Sequence, residues 1–128
     1  MKTKKFILLL LVSLLTLSLA SCEKDGDGQE SLIVGEWRLY KDYDEGEYYY
    51  FEDNRSGLKF HKNGTGTYYE GEPQKWYEYD FIYEVEDSRL ILRFTRDDEI
   101  WVYTILTLTE TELIIEEDDY RAYHIRVK

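Results

Sequence analysis

Apolar and polar residues alternate with a period of two along most of the chain after residue 31, the pattern of strands that bury one face. Residues 31–41 (SLIVGEWRLYK) set Ile33, Gly35, Trp37 and Leu39 on one face and Glu36 and Arg38 on the other. Residues 58–70 (LKFHKNGTGTYYE) hold two strands around Asn63-Gly64, a strong hairpin signal. A two-residue turn there predicts Phe60 opposite Thr67 and Leu58 opposite Tyr69. Residues 76–86 (WYEYDFIYEVE) place Tyr77, Tyr79, Phe81, Tyr83 and Val85 against Glu78, Asp80, Glu84 and Glu86. Asp87-Ser88 turns into residues 89–95, where Leu90, Leu92 and Phe94 share a face. Strands over 100–108, 112–117 and 120–127 follow, the last aligning Tyr123, Ile125 and Val127. The expectation is eight antiparallel strands joined mostly by hairpin-length links, with the longest link at 42–57. Sequential strands with one apolar face predict an all-β, up-and-down barrel, because closure removes the exposed edges of an open sheet. A two-sheet sandwich is the alternative.

Residues 1–30 break this pattern. Lys2, Lys4 and Lys5 precede an apolar run at 6–19, and small Ala20 and Ser21 follow, the layout of a secretory signal peptide over 1–21. The run is shorter than the ~20 residues a membrane-spanning helix needs. Leu19-Ala20-Ser21-Cys22 resembles the lipobox of bacterial lipoproteins. The resemblance implies cleavage before Cys22, a diacylated sulfur and an acylated amine. Cys22 is the only cysteine, so the chain cannot staple itself with an internal disulfide. Two or three acyl chains give a stable membrane anchor where one is marginal. Residues 23–30 (EKDGDGQE) are charged, glycine-rich and free of apolar side chains, the composition of a flexible tether. That stretch resembles the surface-export signal of lipoproteins in Bacteroidota, which implies the outer membrane and its external face. One domain over 31–128 remains.

Charge narrows the partners. Three of the 16 Lys+Arg lie in the first 21 residues, leaving 13 against 27 Asp+Glu and a formal charge of −14. Nucleic acid is excluded as an expected partner, since phosphate binding needs a basic face. All 13 tyrosines follow the signal segment, and abundant Tyr, Thr, Ile and Val with few alanines favour strands over helices.

Gly35-Glu36-Trp37 in the first strand is the Gly-x-Trp of the lipocalins. The region from Leu32 to the end is similar to the lipocalin-like domains of Bacteroidota lipoproteins, with an opening LIVGEWRL, a middle LKFHKNGTGTY and a late YTILTLTETELII. The resemblance implies an eight-stranded barrel in which Trp37 plugs the closed end and an arginine of the last strand, Arg126 or failing that Arg121, packs over it. It also implies an interior that is either filled with side chains or holds one small apolar or amphipathic ligand. The inward-facing candidates for such a ligand are Trp37, Phe60, Tyr69, Tyr79, Phe81, Tyr83, Phe94, Tyr103 and Tyr123. The protein is expected to be a monomer without a cofactor.

The remaining motifs point to weaker chemistry. Tyr48, Tyr49, Tyr50 and Phe51 in the long link suit a lid or a contact patch for a protein or glycan, because tyrosine buries area while keeping a polar tip; the alternative is a short extra strand packing half of them on the core. Asp97-Asp98-Glu99 and Glu116-Glu117-Asp118-Asp119 offer oxygen ligands but lack calcium-loop spacing, so no metal is expected. Glu78, Asp80, Glu84 and Glu86 could do paired-carboxylate chemistry only in a cleft, and their face is expected to be wet. His61 and His124 are expected outward and without partners. No catalytic residues are assigned, and an enzyme is not expected. Asn54-Arg55-Ser56 and Asn63-Gly64-Thr65 fit the glycosylation sequon.

Overall fold

The computed structural model of the chain describes residues 31–52, 55–72 and 74–128. The expected signal peptide, Cys22, the tether and the asparagine of the first sequon lie outside the described residues. Nine strands follow in order: β1 (Gly35–Asp44), β2 (Glu47–Tyr50), β3 (Ser56–Phe60), β4 (Thr65–Glu72), β5 (Lys75–Glu86), β6 (Arg89–Phe94), β7 (Ile100–Leu108), β8 (Glu112–Glu117) and β9 (Tyr120–Val127). They form one antiparallel sheet in the order β2-β1-β3-β4-β5-β6-β7-β8-β9, and β9 returns to pair with β1 along nearly its whole length, which closes the barrel.

Nine strands make eight staves. β2 and β3 run in the same direction along the same edge of β1, β2 against Lys41–Asp44 and β3 against Gly35–Arg38. They are two halves of one stave, interrupted between Tyr50 and Ser56. The expected link at 42–57 is therefore mostly strand. Its turn is Glu45-Gly46, both at positive φ (49° and 86°) between paired Asp44 and Glu47, the backbone of a type I′ hairpin that matches strand twist. Asp87-Ser88 makes the same turn between β5 and β6 (φ 47° and 67°).

The hairpin at Asn63-Gly64 differs from expectation by one residue. His61 N–H donates to the Thr65 carbonyl at 2.8 Å and Gly64 N–H to the His61 carbonyl at 3.2 Å. The loop is thus three residues long, with Gly64 left-handed at φ 91°, the alternative hairpin form that glycine permits. Phe60 pairs with Gly66 and Leu58 with Tyr68. A one-residue shift turns every side chain to the other face, so Tyr68 points inward and Tyr69 outward.

The core fills one end of the barrel. Ile33, Trp37, Phe60, Phe81, Leu90, Leu92 and Leu113 are buried there from six different segments, and burial of each such side chain contributes about 1.5–3 kcal/mol. Phe60, Phe81, Tyr83 and Phe94 interlock edge-on or tilted at 4.9–6.4 Å between ring centroids. The Trp37 indole donates to the Ile33 carbonyl at 2.8 Å. Arg126 lies over the indole, 4.2 Å from the ring centre, and donates to the carbonyls of Val34 at 2.8 Å, Glu110 at 2.6 Å and Leu32. Gly35 sits at φ 136°, and a Cβ there would meet the Arg126 guanidinium at 2.4 Å. The glycine and tryptophan of the motif are thus one device: one admits the guanidinium, the other stacks under it. Arg121 pairs instead with Glu116 at 2.8 Å on the outer wall.

Candidate functional site

Opposite the plug the barrel is hollow. A cavity of about 660 Å³ is lined by Leu39 and Asp42 of β1, Leu58 of β3, Tyr68 and Glu70 of β4, Trp101 and Tyr103 of β7, Ile115 and Glu117 of β8, and Tyr120, Ala122 and His124 of β9. Phe51, Arg55 and Ser56 line it from the break between β2 and β3, with Gly71 and Glu72 from the end of β4. Residues on either side of the break between β2 and β3 thus form one side of its opening. A volume in this range suits a small organic ligand.

The wall is aromatic and phenolic. Tyr68 meets Trp101 edge-on at 5.3 Å and stacks on Tyr79 at 6.0 Å, and Trp101 meets Tyr103 edge-on at 6.3 Å. Tyr120 donates to Asp42 Oδ2 at 3.1 Å. Asp42 Oδ1 is buried and has no hydrogen-bond donor among the described residues. Burial pushes the Asp42 carboxyl above its usual range, opposed by the Tyr120 hydroxyl. Tyr68, Tyr103 and Tyr120 are pushed up, chiefly by burial, so they remain protonated donors at neutral pH. At the cavity base His124 is buried, and its Nδ1–H donates to the Leu113 carbonyl at 3.3 Å. Burial lowers its pKa to about 4, so it is neutral.

The structure sorts the inward candidates into three groups. Tyr103 lines the cavity. Tyr79 and Phe94 line an adjoining hollow of about 330 Å³ shared with Tyr68, Glu70 and Trp101. Trp37, Phe60 and Phe81 belong to the packed plug, and Tyr83 packs edge-on against Phe60 and donates to the His61 carbonyl at 2.8 Å. Two candidates face outward, contrary to expectation. Tyr69 lies across Gly57 on the outer wall, beside Trp76, and donates to Glu36 at 3.2 Å; the three-residue hairpin loop put it there. Tyr123 pairs beside Lys41, whose Nζ sits 4.3 Å from its ring. On β9 the inward parity is Tyr120, Ala122, His124 and Arg126, the reverse of the apolar reading, so His124 also corrects from outward to buried.

Tyr48, Tyr49 and Tyr50 form the added strand β2 and are exposed at 48%, 47% and 69%, whereas Phe51 is half-buried against the core. They are not packed on the core as a half-buried strand would be. Tyr48 instead joins an outer belt: it meets Tyr43 at 4.8 Å and Tyr123 at 6.4 Å, with Lys41 5.3 Å from its ring. Glu78, Asp80, Glu84 and Glu86 are exposed on the outer wall, and Asp80 accepts from Thr67 at 3.0 Å. Asp97 accepts from the Glu99 amide at 3.1 Å within its own turn. Among the described residues no three His, Cys, Asp or Glu side chains converge as metal ligands.

Sequence reasoning missed Tyr68, Trp101, Tyr120, Asp42 and His124. Trp101 and Tyr103 share one parity of 100–108, which could have signalled the wall. The rest depended on hairpin register and on β9 parity.

Comparison with known proteins gives the same architecture. A family model described as a lipocalin-like domain matches residues 33–115. The crystal structure of a lipocalin-like protein from Bacteroides uniformis superposes with a TM-score of 0.67 at 11% identity, covering 75% of this chain and 99% of that one. An uncharacterized protein from Bacteroides eggerthii superposes with a TM-score of 0.66 at 12% identity, covering 74% and 99%. Among curated proteins none matches the chain.

Proposed function

The chain belongs to the lipocalin-like domain family, and from that premise we propose that it is a lipid-anchored envelope protein whose barrel binds a small amphipathic molecule. The observation that carries the reading is the cavity of about 660 Å³ between Tyr68, Trp101, Tyr103 and Tyr120. A packed barrel would have left no such space. Its apolar wall (Leu39, Leu58, Ile115, Trp101) would hold the ligand body, and its phenols and carboxylates would orient the polar end. Binding, not turnover, is the role proposed.

Anchoring rests on the sequence. Cys22 would carry the acyl chains and residues 23–30 the tether, with the barrel displayed on the outer face of the outer membrane. Protease treatment of intact cells should then degrade the barrel, and Cys22→Ala should release it from the membrane fraction. The binding reading is tested by native mass spectrometry of gently purified protein. Extra mass that is lost on denaturation supports it. A bare mass, unchanged after incubation with a cell-lipid extract, contradicts it.

A second reading is favoured by the exposure of Tyr48, Tyr49 and Tyr50. These rings would contact another envelope protein, a host protein or a glycan from the outside of the barrel. Replacing all three with serine should abolish such a contact and leave the cavity unaffected.

A further inference from the structure

The inside of the cavity is unevenly charged. Among its described lining residues Asp42, Glu70, Glu72 and Glu117 face a single guanidinium, Arg55. These carboxylates come from three strands, β1, β4 and β8, so the charge surrounds the space and is not the chance of one acidic turn. Asp42 adds an independent observation. Its Oδ2 is satisfied by Tyr120, but its Oδ1 is buried without a donor. Buried polar atoms are nearly always hydrogen-bonded, and an unpaired buried carboxylate oxygen is costly. A cationic group held in the cavity beside Asp42 would offset the cost of that buried charge. The same cavity is lined by the rings of Tyr68, Trp101, Tyr103 and Tyr120, and aromatic rings attract a cation once water is excluded.

We infer that the ligand is an organic cation: an amine or ammonium group, borne on an apolar or aromatic body, whose charged end lies against Asp42. The inference rests on the binding reading above and adds the sign of the ligand's charge. A fatty acid or another anion-headed lipid would place its carboxylate among four others at reduced dielectric, where like charges repel strongly. A metal ion is the poorer match, because no three of these groups converge on one point among the described residues.

The test is calorimetric titration of the purified protein with three probes sharing a ten-carbon chain: decyltrimethylammonium or decylamine, decanoate, and decanol, all below their aggregation concentrations. The amines should bind about tenfold or more tightly than decanoate, the scale of one charge-assisted contact. Asp42→Asn should erase most of that preference, read as the ratio of amine to decanoate affinity. Glu117→Gln, at the exposed end of β8, should reduce it in part and keeps the test intact if the Asp42 variant fails to fold. Decanoate binding as tightly as the amines would overturn the charge inference and leave the binding reading standing. No binding by any of the three would overturn both.

Discussion

Arg126 ties its own strand to two segments far away in sequence, 32–37 and the turn at Glu110. Its guanidinium covers Trp37 and donates to carbonyls of residues 32, 34 and 110. Arg126→Met keeps the bulk but removes the charge and every donor, so it should destabilise the fold by roughly 3 kcal/mol, measured by urea unfolding. Gly35→Ala should cost ~1–3 kcal/mol, since the backbone is left-handed and the methyl collides with that guanidinium. His124 gives a pH signature. Its pKa falls from 6.5 unfolded to about 4 folded, so the unfolded chain binds the extra proton between those values. Its contribution is whole above pH 6.5 and is lost as pH falls toward 4, on the order of 3 kcal/mol. Asp42 has the opposite sign, because a raised carboxyl favours the fold when protonated. The difference between the wild-type and His124→Gln stability curves isolates the histidine and should vanish below pH 4 apart from a constant offset. The plug was legible in the residues themselves, since Gly35, Trp37 and Arg126 stand in strands whose ends are well marked. His124 was not, because on β9 both parities carry rings and the more apolar one lies outside under Tyr40, Tyr48 and Lys41.

At the scale of elements, alternation fixed β5 and β6, where every outward neighbour of Tyr79, Phe81, Leu90 and Leu92 is charged or half-buried. Register between strands was harder to read. Asn63-Gly64 marked the hairpin but left two loop lengths open, and only one puts Gly64 N–H on the His61 carbonyl. The consequence is large, since that register makes Tyr68 part of the cavity wall and packs Tyr69, buried, against Gly57 and Trp76 on the outer face. Tyr68→Ala should therefore weaken ligand binding with little change in solvent exposure outside, whereas Tyr69→Ala should lower stability by about 2–4 kcal/mol and leave binding alone. Binding titrations paired with melting curves on the two variants check this. The interruption between β2 and β3 was hidden for another reason. Glu45-Gly46 is a weaker turn signal than Asn-Gly, and four consecutive aromatics at 48–51 carry no period to read. Yet that interruption opens the barrel: Phe51, Arg55 and Ser56 line its mouth.

For the whole molecule, the two ends do different work. One end is packed solid around Trp37, Phe60 and Phe81, and the other is hollow behind Tyr68, Trp101 and Tyr120. The hollow end also keeps Asp42 Oδ1 buried without a donor among the described residues. The three tryptophans report on the three regions separately. Trp37 sits in the plug, Trp101 in the cavity wall and Trp76 on the exterior at 39% exposure. Fluorine NMR of protein carrying fluorotryptophan, titrated with decyltrimethylammonium and then with a lipid extract, tests the binding site most directly. Occupation of the cavity shifts the Trp101 resonance and leaves Trp37 and Trp76 in place. A Trp101 resonance that stays fixed while Trp76 moves, or while none moves, would contradict a ligand-binding barrel.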